Sequence, residues 1–125
     1  ENNIVPDLIV SSPAERAKAT SKVMVEYFNT AINIDYNTNL YPGTQKQLLE
    51  LFENIPNHYN HALIVGHNPG ITDIANLLLG EENIEWIPTS GFVSLFFETN
   101  KWSKITKDKA QLMHYIEPKG IQKND

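Results

Sequence analysis

No cysteine occurs among the 125 residues. That excludes disulfides, zinc–thiolate centres and thiol nucleophiles, and it fits a reducing, cytoplasmic compartment. No apolar run approaches the roughly 18 residues that a membrane-spanning helix needs. Basic side chains are the minority, ten against fifteen acidic ones, for a net charge of −5. An acidic surface argues against general binding to nucleic acid or to anionic membranes, while leaving room for a small basic pocket. Repeats and low-complexity segments are also lacking.

What is present is enough for one domain with a real core, since 41% of the residues are apolar. The chain is organised around Leu63-Ile64-Val65-Gly66-His67-Asn68-Pro69-Gly70. A short apolar run ends in a Gly- and Pro-containing loop, and an amphipathic run over Ile71–Leu79 follows at once. This reads as a buried strand, a tight turn and a helix N-terminus. Such a layout gathers a histidine, backbone N–H groups and a helix dipole at one spot, which suits an anion and phosphate above all.

The remaining pattern repeats that logic. Ile4 to Val10 is a β-rich run ending at Ser11-Ser12-Pro13. Ser12 as N-cap, Pro13 at the first position and Glu15 closing a capping box predict a helix from Pro13 to about Phe28. Ala31–Tyr36 alternates as a strand, and Pro42-Gly43 marks a turn. Thr44 and Gln47 form a second capping-box pattern ahead of a helix through Leu48, Leu51, Phe52 and Ile55. His61–Val65 is the central strand, and Gly80 is the natural stop of the helix that follows it. Phe92–Glu98 and Ala110–Ile116 are two further strands, and Glu117–Asp125 reads as a fraying tail. The order β-α-β-α-β-α-β-β predicts an α/β layer fold, with a mainly parallel sheet that turns antiparallel towards its C-terminal end. Ligands bind beyond the carboxyl ends of strands in such sheets, which is where Ser12 and His67 both fall.

Several side chains could do chemistry. Arg16 lies in the first turn of the first helix, where a bound anion would turn an unfavourable cation–dipole contact into a favourable one. The competing reading is an exposed arginine paired with Glu15 or a loop. His67 could donate to a phosphoryl oxygen, or simply brace its loop. Asn68 could cap the helix or offer its backbone N–H to an anion. His58 and His61 have a metal-like spacing but no neighbouring carboxylate, so a metal reading is weak. His114 falls in an alternating strand. Glu15 and Asp73 read as first-turn acids, and Trp86, Trp102 and the Phe92–Phe97 aromatics read as core.

Ser11-Ser12-Pro13-Ala14-Glu15-Arg16-Ala17, Leu40-Tyr41, Val65-Gly66-His67-Asn68-Pro69-Gly70, Pro88-Thr89-Ser90-Gly91 and the late Pro118-Lys119 together resemble the histidine phosphatase superfamily. Within it, the chain looks most similar to the SixA-type phosphohistidine phosphatases, with a phosphoglycerate-mutase-like fold. The resemblance implies a pocket in which Arg16 and His67 hold the phosphoryl group, with Ser12 and Asn68 as further phosphate ligands. It implies no metal or cofactor, and a partner protein bearing phosphohistidine or a small phosphorylated substrate. It also implies an Arg-His motif, with the nucleophilic histidine, at the end of a first strand in mid-sheet. No arginine directly precedes a histidine here. The expectation is therefore an N-terminally truncated domain that lacks the first strand. Such a chain binds phosphate but does not turn over alone, and its open sheet edges favour association. The alternatives are a small-molecule phosphomonoesterase, a mutase-like enzyme or a non-catalytic phosphate-binding relative.

Overall fold

The computed structural model describes residues 5–40, 43–80, 84–85, 87, 92–96, 99, 101–105 and 110–116. Tyr41, Trp86, Pro88–Gly91, Phe97 and Glu117–Asp125 lie outside the described residues, as do the side chains of Phe92–Phe96 and His114. The elements run β1 (Leu8–Ser11), α1 (Glu15–Phe28), β2 (Ile34–Tyr36), α2 (Gln45–Glu53), β3 (Ala62–Val65), α3 (Gly70–Leu79), β4 (Phe92–Phe96) and β5 (Gln111–Ile116). This is the order expected from the sequence.

Strands β2, β1 and β3 form one parallel sheet with β1 in the middle. Strands β4 and β5 pair antiparallel, with an irregularity between Ser94 and Leu95. Both the parallel and the antiparallel parts are thus present. Among the described residues they are two separate ladders, and β3 and β4 each keep an edge without a strand partner.

Alternation along β1 sorts its side chains to two faces. Val10 joins the main core with Leu40, Leu48 of α2 and Ile74, Ala75, Leu78 and Leu79 of α3. Ser11 points the other way, where its hydroxyl accepts from the Ser21 hydroxyl of α1 at 3.0 Å. Helix α1 buries only Ala17 and Ser21, small side chains that let its backbone lie close to the sheet. The Ser21 hydroxyl also lies 2.6 Å from the Ala17 carbonyl, so the serine pair is buried but hydrogen-bonded.

Three boundaries differ from the sequence reading. Strand β1 begins at Leu8 rather than near Val5. Pro6 has no N–H to give a ladder, and the Asp7 carboxylate accepts the backbone N–H groups of Asn60 at 3.0 Å and His61 at 2.9 Å. His61 is thereby tied to the chain entry, while the His58 ring packs on Tyr59 with centroids 4.1 Å apart. Strand β2 is cut to three residues. Helix α1 begins at Glu15 after an extended Ala14, with no side-chain cap, so the Ser12–Glu15 capping box does not form. Ser12 instead accepts the Ala14 N–H at 3.2 Å.

Other signals acted as expected. Thr44 and Gln47 make a reciprocal capping box on α2. Gly80 ends α3 in a left-handed conformation, φ 80°. Trp102 is half-buried against the core, and its indole N–H donates to the Tyr59 carbonyl at 2.9 Å.

Gly70 opens α3 where its backbone meets another chain segment. A Cβ built there would lie 1.8 Å from the Gly43 carbonyl oxygen, and Gly43 itself has φ +68°. Neither partner is a flexible side chain, so the backbone would have to move. Gly70→Ala is expected to lower the unfolding free energy by about 1–3 kcal/mol, read as an earlier urea midpoint. An unchanged midpoint would show that this approach is not tight.

Candidate phosphate site

The register of β1 on β3 pairs Ser11 with Val65, the last residues of both strands. The Ser12 N–H continues that ladder to the Val65 carbonyl at 2.9 Å. The residues that follow each strand therefore emerge side by side. The result is a direct contact between residues 55 apart in sequence: His67 Nε2 and Ser12 Oγ lie 2.8 Å apart. Ser12 is fully buried, and His67 is half-buried.

Arg16 stands in the first turn of α1, four residues after Ser12. It is the only arginine in the sequence. The ion pair with Glu15 or a loop that would have explained it is not found, since Arg16 is exposed and has no hydrogen-bond or ion-pair partner among the described residues. Glu15 and Asp73 do take first-turn positions on α1 and α3.

The two helix N-termini behave differently. On α3, Ile71 N–H donates to the His67 carbonyl at 2.9 Å and Asp73 N–H to the Pro69 carbonyl at 2.9 Å. Thr72 N–H goes to the Asn68 carboxamide oxygen at 3.2 Å. This end is largely closed upon itself, which corrects the expectation that α3 presents a row of open donors. On α1, the N–H groups of Glu15, Arg16 and Ala17 have no acceptor among the described residues. The end with donors left over is the one that carries Arg16.

Asn68 takes the capping role that was one of its two expected places. Its carboxamide oxygen accepts from the Thr72 hydroxyl at 2.6 Å as well as from the Thr72 N–H, and its NH₂ donates to the Ile87 carbonyl. The side chain is a brace, and only the backbone N–H of Asn68 has no partner among the described residues. Its peptide bond to Pro69 is cis.

Sequence reasoning missed the other half of this brace. The Ile87 N–H donates to the Thr72 hydroxyl at 2.9 Å, and the Asn76 carboxamide bonds Ile84 in both directions, at 2.7 and 3.0 Å. Thr72 and Asn76 are four apart on one face of α3, and together they tie Ile84 and Ile87 to it. Their spacing was legible, but polar residues inside an apolar helix read equally well as solvent-facing. A separate cleft of about 530 Å³ lies between α2 and the sheet, with Asp35, Asn39 and Glu50 on its walls. It contains none of the candidate phosphate ligands.

Asn68→Ala removes three hydrogen bonds, all of them to the buried residues Thr72 and Ile87. It should cost about 1–3 kcal/mol of stability, while weakening phosphate binding less than Arg16→Ala does. Urea unfolding and phosphate titration of the two variants check this. Asn68→Ala with an unchanged urea midpoint would contradict the brace.

No protein-family model and no curated protein matches the sequence. Solved structures do match. A structure assigned as phosphohistidine phosphatase SixA from Nakamurella multipartitia superposes with a TM-score of 0.75 at 18% identity, covering 91% of this chain and 72% of its own. A protein histidine phosphatase SixA complexed with tungstate gives 0.76 at 15% identity, covering 94% and 72%. A structure assigned to the same enzyme from Agrobacterium tumefaciens gives 0.69 at 25% identity, covering 90% and 68%. With its parallel α/β sheet, layered helices and paired strand ends, the chain has the fold of the SixA phosphohistidine phosphatase structures.

Proposed function

We propose that this chain is the phosphate-binding body of a phosphohistidine phosphatase. The observation that carries the reading is the meeting of Ser12 and His67 at the strand ends, with Arg16, which has no partner among the described residues, in the first turn of α1. A tetrahedral oxyanion fits such a place: N–H donors and a positive dipole end on one side, a guanidinium fork and an imidazole on the others. One of the matching SixA structures is a complex with tungstate, an anion of this shape.

The reaction has two displacements. A nucleophilic histidine nitrogen forms a bond to phosphorus as the bond to the substrate's histidine nitrogen breaks, releasing that imidazole. Water then attacks the phosphoenzyme, and the bond from phosphorus to the nucleophile breaks to give inorganic phosphate. Arg16 and the Glu15, Arg16 and Ala17 N–H groups neutralise the charge that gathers on the phosphoryl oxygens in both steps. His67 hydrogen-bonds to the same group. An imidazole leaving group, with a pKa of about 6.5, asks less of a general acid than an alkoxide does. That agrees with a site in which no carboxylate stands out.

The nucleophile is assigned to a segment beyond these 125 residues, because the sequence has no Arg-His pair. The same fact supports a second reading, a phosphate-binding relative without catalysis. A histidine-phosphorylated protein is the discriminating substrate. The polypeptide at its natural length should release phosphate from it faster than from sugar phosphates. Arg16→Ala and His67→Ala should each lower kcat/KM by about 10²–10³. The 125-residue chain alone should bind phosphate without turnover. Preference for sugar phosphates would favour the phosphomonoesterase reading, and binding without turnover at natural length would favour the non-catalytic one. Full activity in the 125-residue chain would refute the external nucleophile.

A further inference from the structure

The cleft between α2 and the sheet holds none of the candidate phosphate ligands, yet it opens beside them. Asn37 stands on its wall, and the Asn37 N–H donates at 2.9 Å to the carbonyl of Ser11, the residue before Ser12. From that carboxyl end the cleft runs along β1 and β2 to Pro56 and Tyr59, which precede β3. Its floor is apolar, made by Leu8, Val10, Leu51 and Ile55. Its two charged side chains are both acids. Val10 lies opposite Asp35 in the register of β1 on β2, so Asp35 is on the sheet face that carries the core. Glu50 of α2 lines the same cleft. Neither carboxylate has a hydrogen-bond or ion-pair partner among the described residues, and no lysine, arginine or histidine is among the described residues that line the cleft.

An apolar trough with two unpaired carboxylates matches a cation on a hydrocarbon stem. The stem covers Leu8 and Leu51, and the charged end stays near the acids and in reach of water. Lysine and arginine side chains have that build. The neighbouring strand supplies the rest. β2 is the outer strand of the parallel sheet, so its outward-facing backbone groups have no strand partner among the described residues. An extended segment laid along β2 would pair with them, and every second side chain would fall on the cleft face. A free amine would leave those backbone groups unused, and a second copy of this chain, at −5, brings the wrong charge. We infer that the cleft beside β2 binds an extended, lysine- or arginine-bearing segment of a protein partner. That this partner is the phosphorylated protein rests on the proposed function; the chemistry of the cleft does not. An inward-facing acid on a short edge strand also has a blander use, which is to keep copies from pairing edge to edge.

The probe is a capped pentapeptide of alternating valine and lysine, titrated into the ¹⁵N-labelled polypeptide at its natural length. The same peptide with glutamate for lysine, and the free diamine cadaverine, are the comparisons. The expected result is saturable amide shifts at residues 35–39 and 50–54 with the lysine peptide alone. The double variant Asp35→Asn, Glu50→Gln keeps the shape of both side chains and removes their charge. It should bind that peptide about five- to tenfold more weakly, the worth of two exposed ion pairs. Phosphate shifts at Glu15, Arg16 and Ala17 should stay as in the parent. No saturable shift at the cleft overturns the inference, and so does equal binding of the glutamate peptide. Cadaverine binding as tightly as the peptide overturns the protein partner. Unchanged affinity in the double variant overturns it too, and self-association of that variant would then leave the acids as guards of the edge. If the double variant does not fold, the lysine–glutamate comparison in the parent still decides. Peptide binding in a protein that binds no phosphate would keep this inference and bring down the functional reading. Phosphate binding without peptide binding would do the reverse.

Discussion

The parallel pairing of β1 with β3 is the constraint on which the rest depends. Its register runs from Leu8 opposite Ala62 to Ser11 opposite Val65, and the Ser12 N–H adds one more rung. Shifting that register by one residue would put Val10 on the α1 side and Ser11 in the apolar core, because strand side chains alternate. The core residues of α2 and α3 therefore hold the register, and the register holds the site. Ser12 and His67 meet because both strands end at the same level. The Ser11–Ser21 hydrogen bond then lets α1 lie close behind β1, which brings Arg16 to that same edge.

The two helices that start at this edge divide the labour. Helix α3 spends its first N–H groups on His67, Asn68 and Pro69, and thereby fixes the loop that carries the histidine. Helix α1 has no side-chain cap, since the serine that could have supplied one is turned to His67 and Ala14. An uncapped N-terminus is a small local loss of stability, of about 1 kcal/mol. It leaves donors and a dipole end that a bound anion can satisfy. Open ends of this kind belong at places where a ligand completes the structure.

Much of this was legible in the sequence. Capping chemistry at Thr44-Gln47, the stop at Gly80 and the apolar periodicity gave the element order and the α/β class. The common position of Ser12 and His67 at strand ends followed from that order. What was not legible was the destination of individual polar groups. Ser12 fits a capping box by spacing alone, and only the register of two strands 55 residues apart hands its hydroxyl to a histidine. Asn68 could be read as a helix cap or, through its backbone N–H, as a phosphate ligand. Its side chain is claimed by Thr72 and Ile87, partners that no local pattern announces. Arg16 could be read as an ion-pair residue or as a ligand, and no partner is found for it among the described residues.

The central claim is that an oxyanion sits at the N-terminus of α1, between Arg16 and His67. Titrating the ¹⁵N-labelled protein with phosphate while following backbone amides tests it most directly. The account predicts saturable shifts that are largest at Glu15, Arg16, Ala17 and Asn68, the amides without acceptors among the described residues, with Ile71–Asp73 little changed. Shifts centred on Ile71–Asp73, or no saturable shift at all, would contradict it.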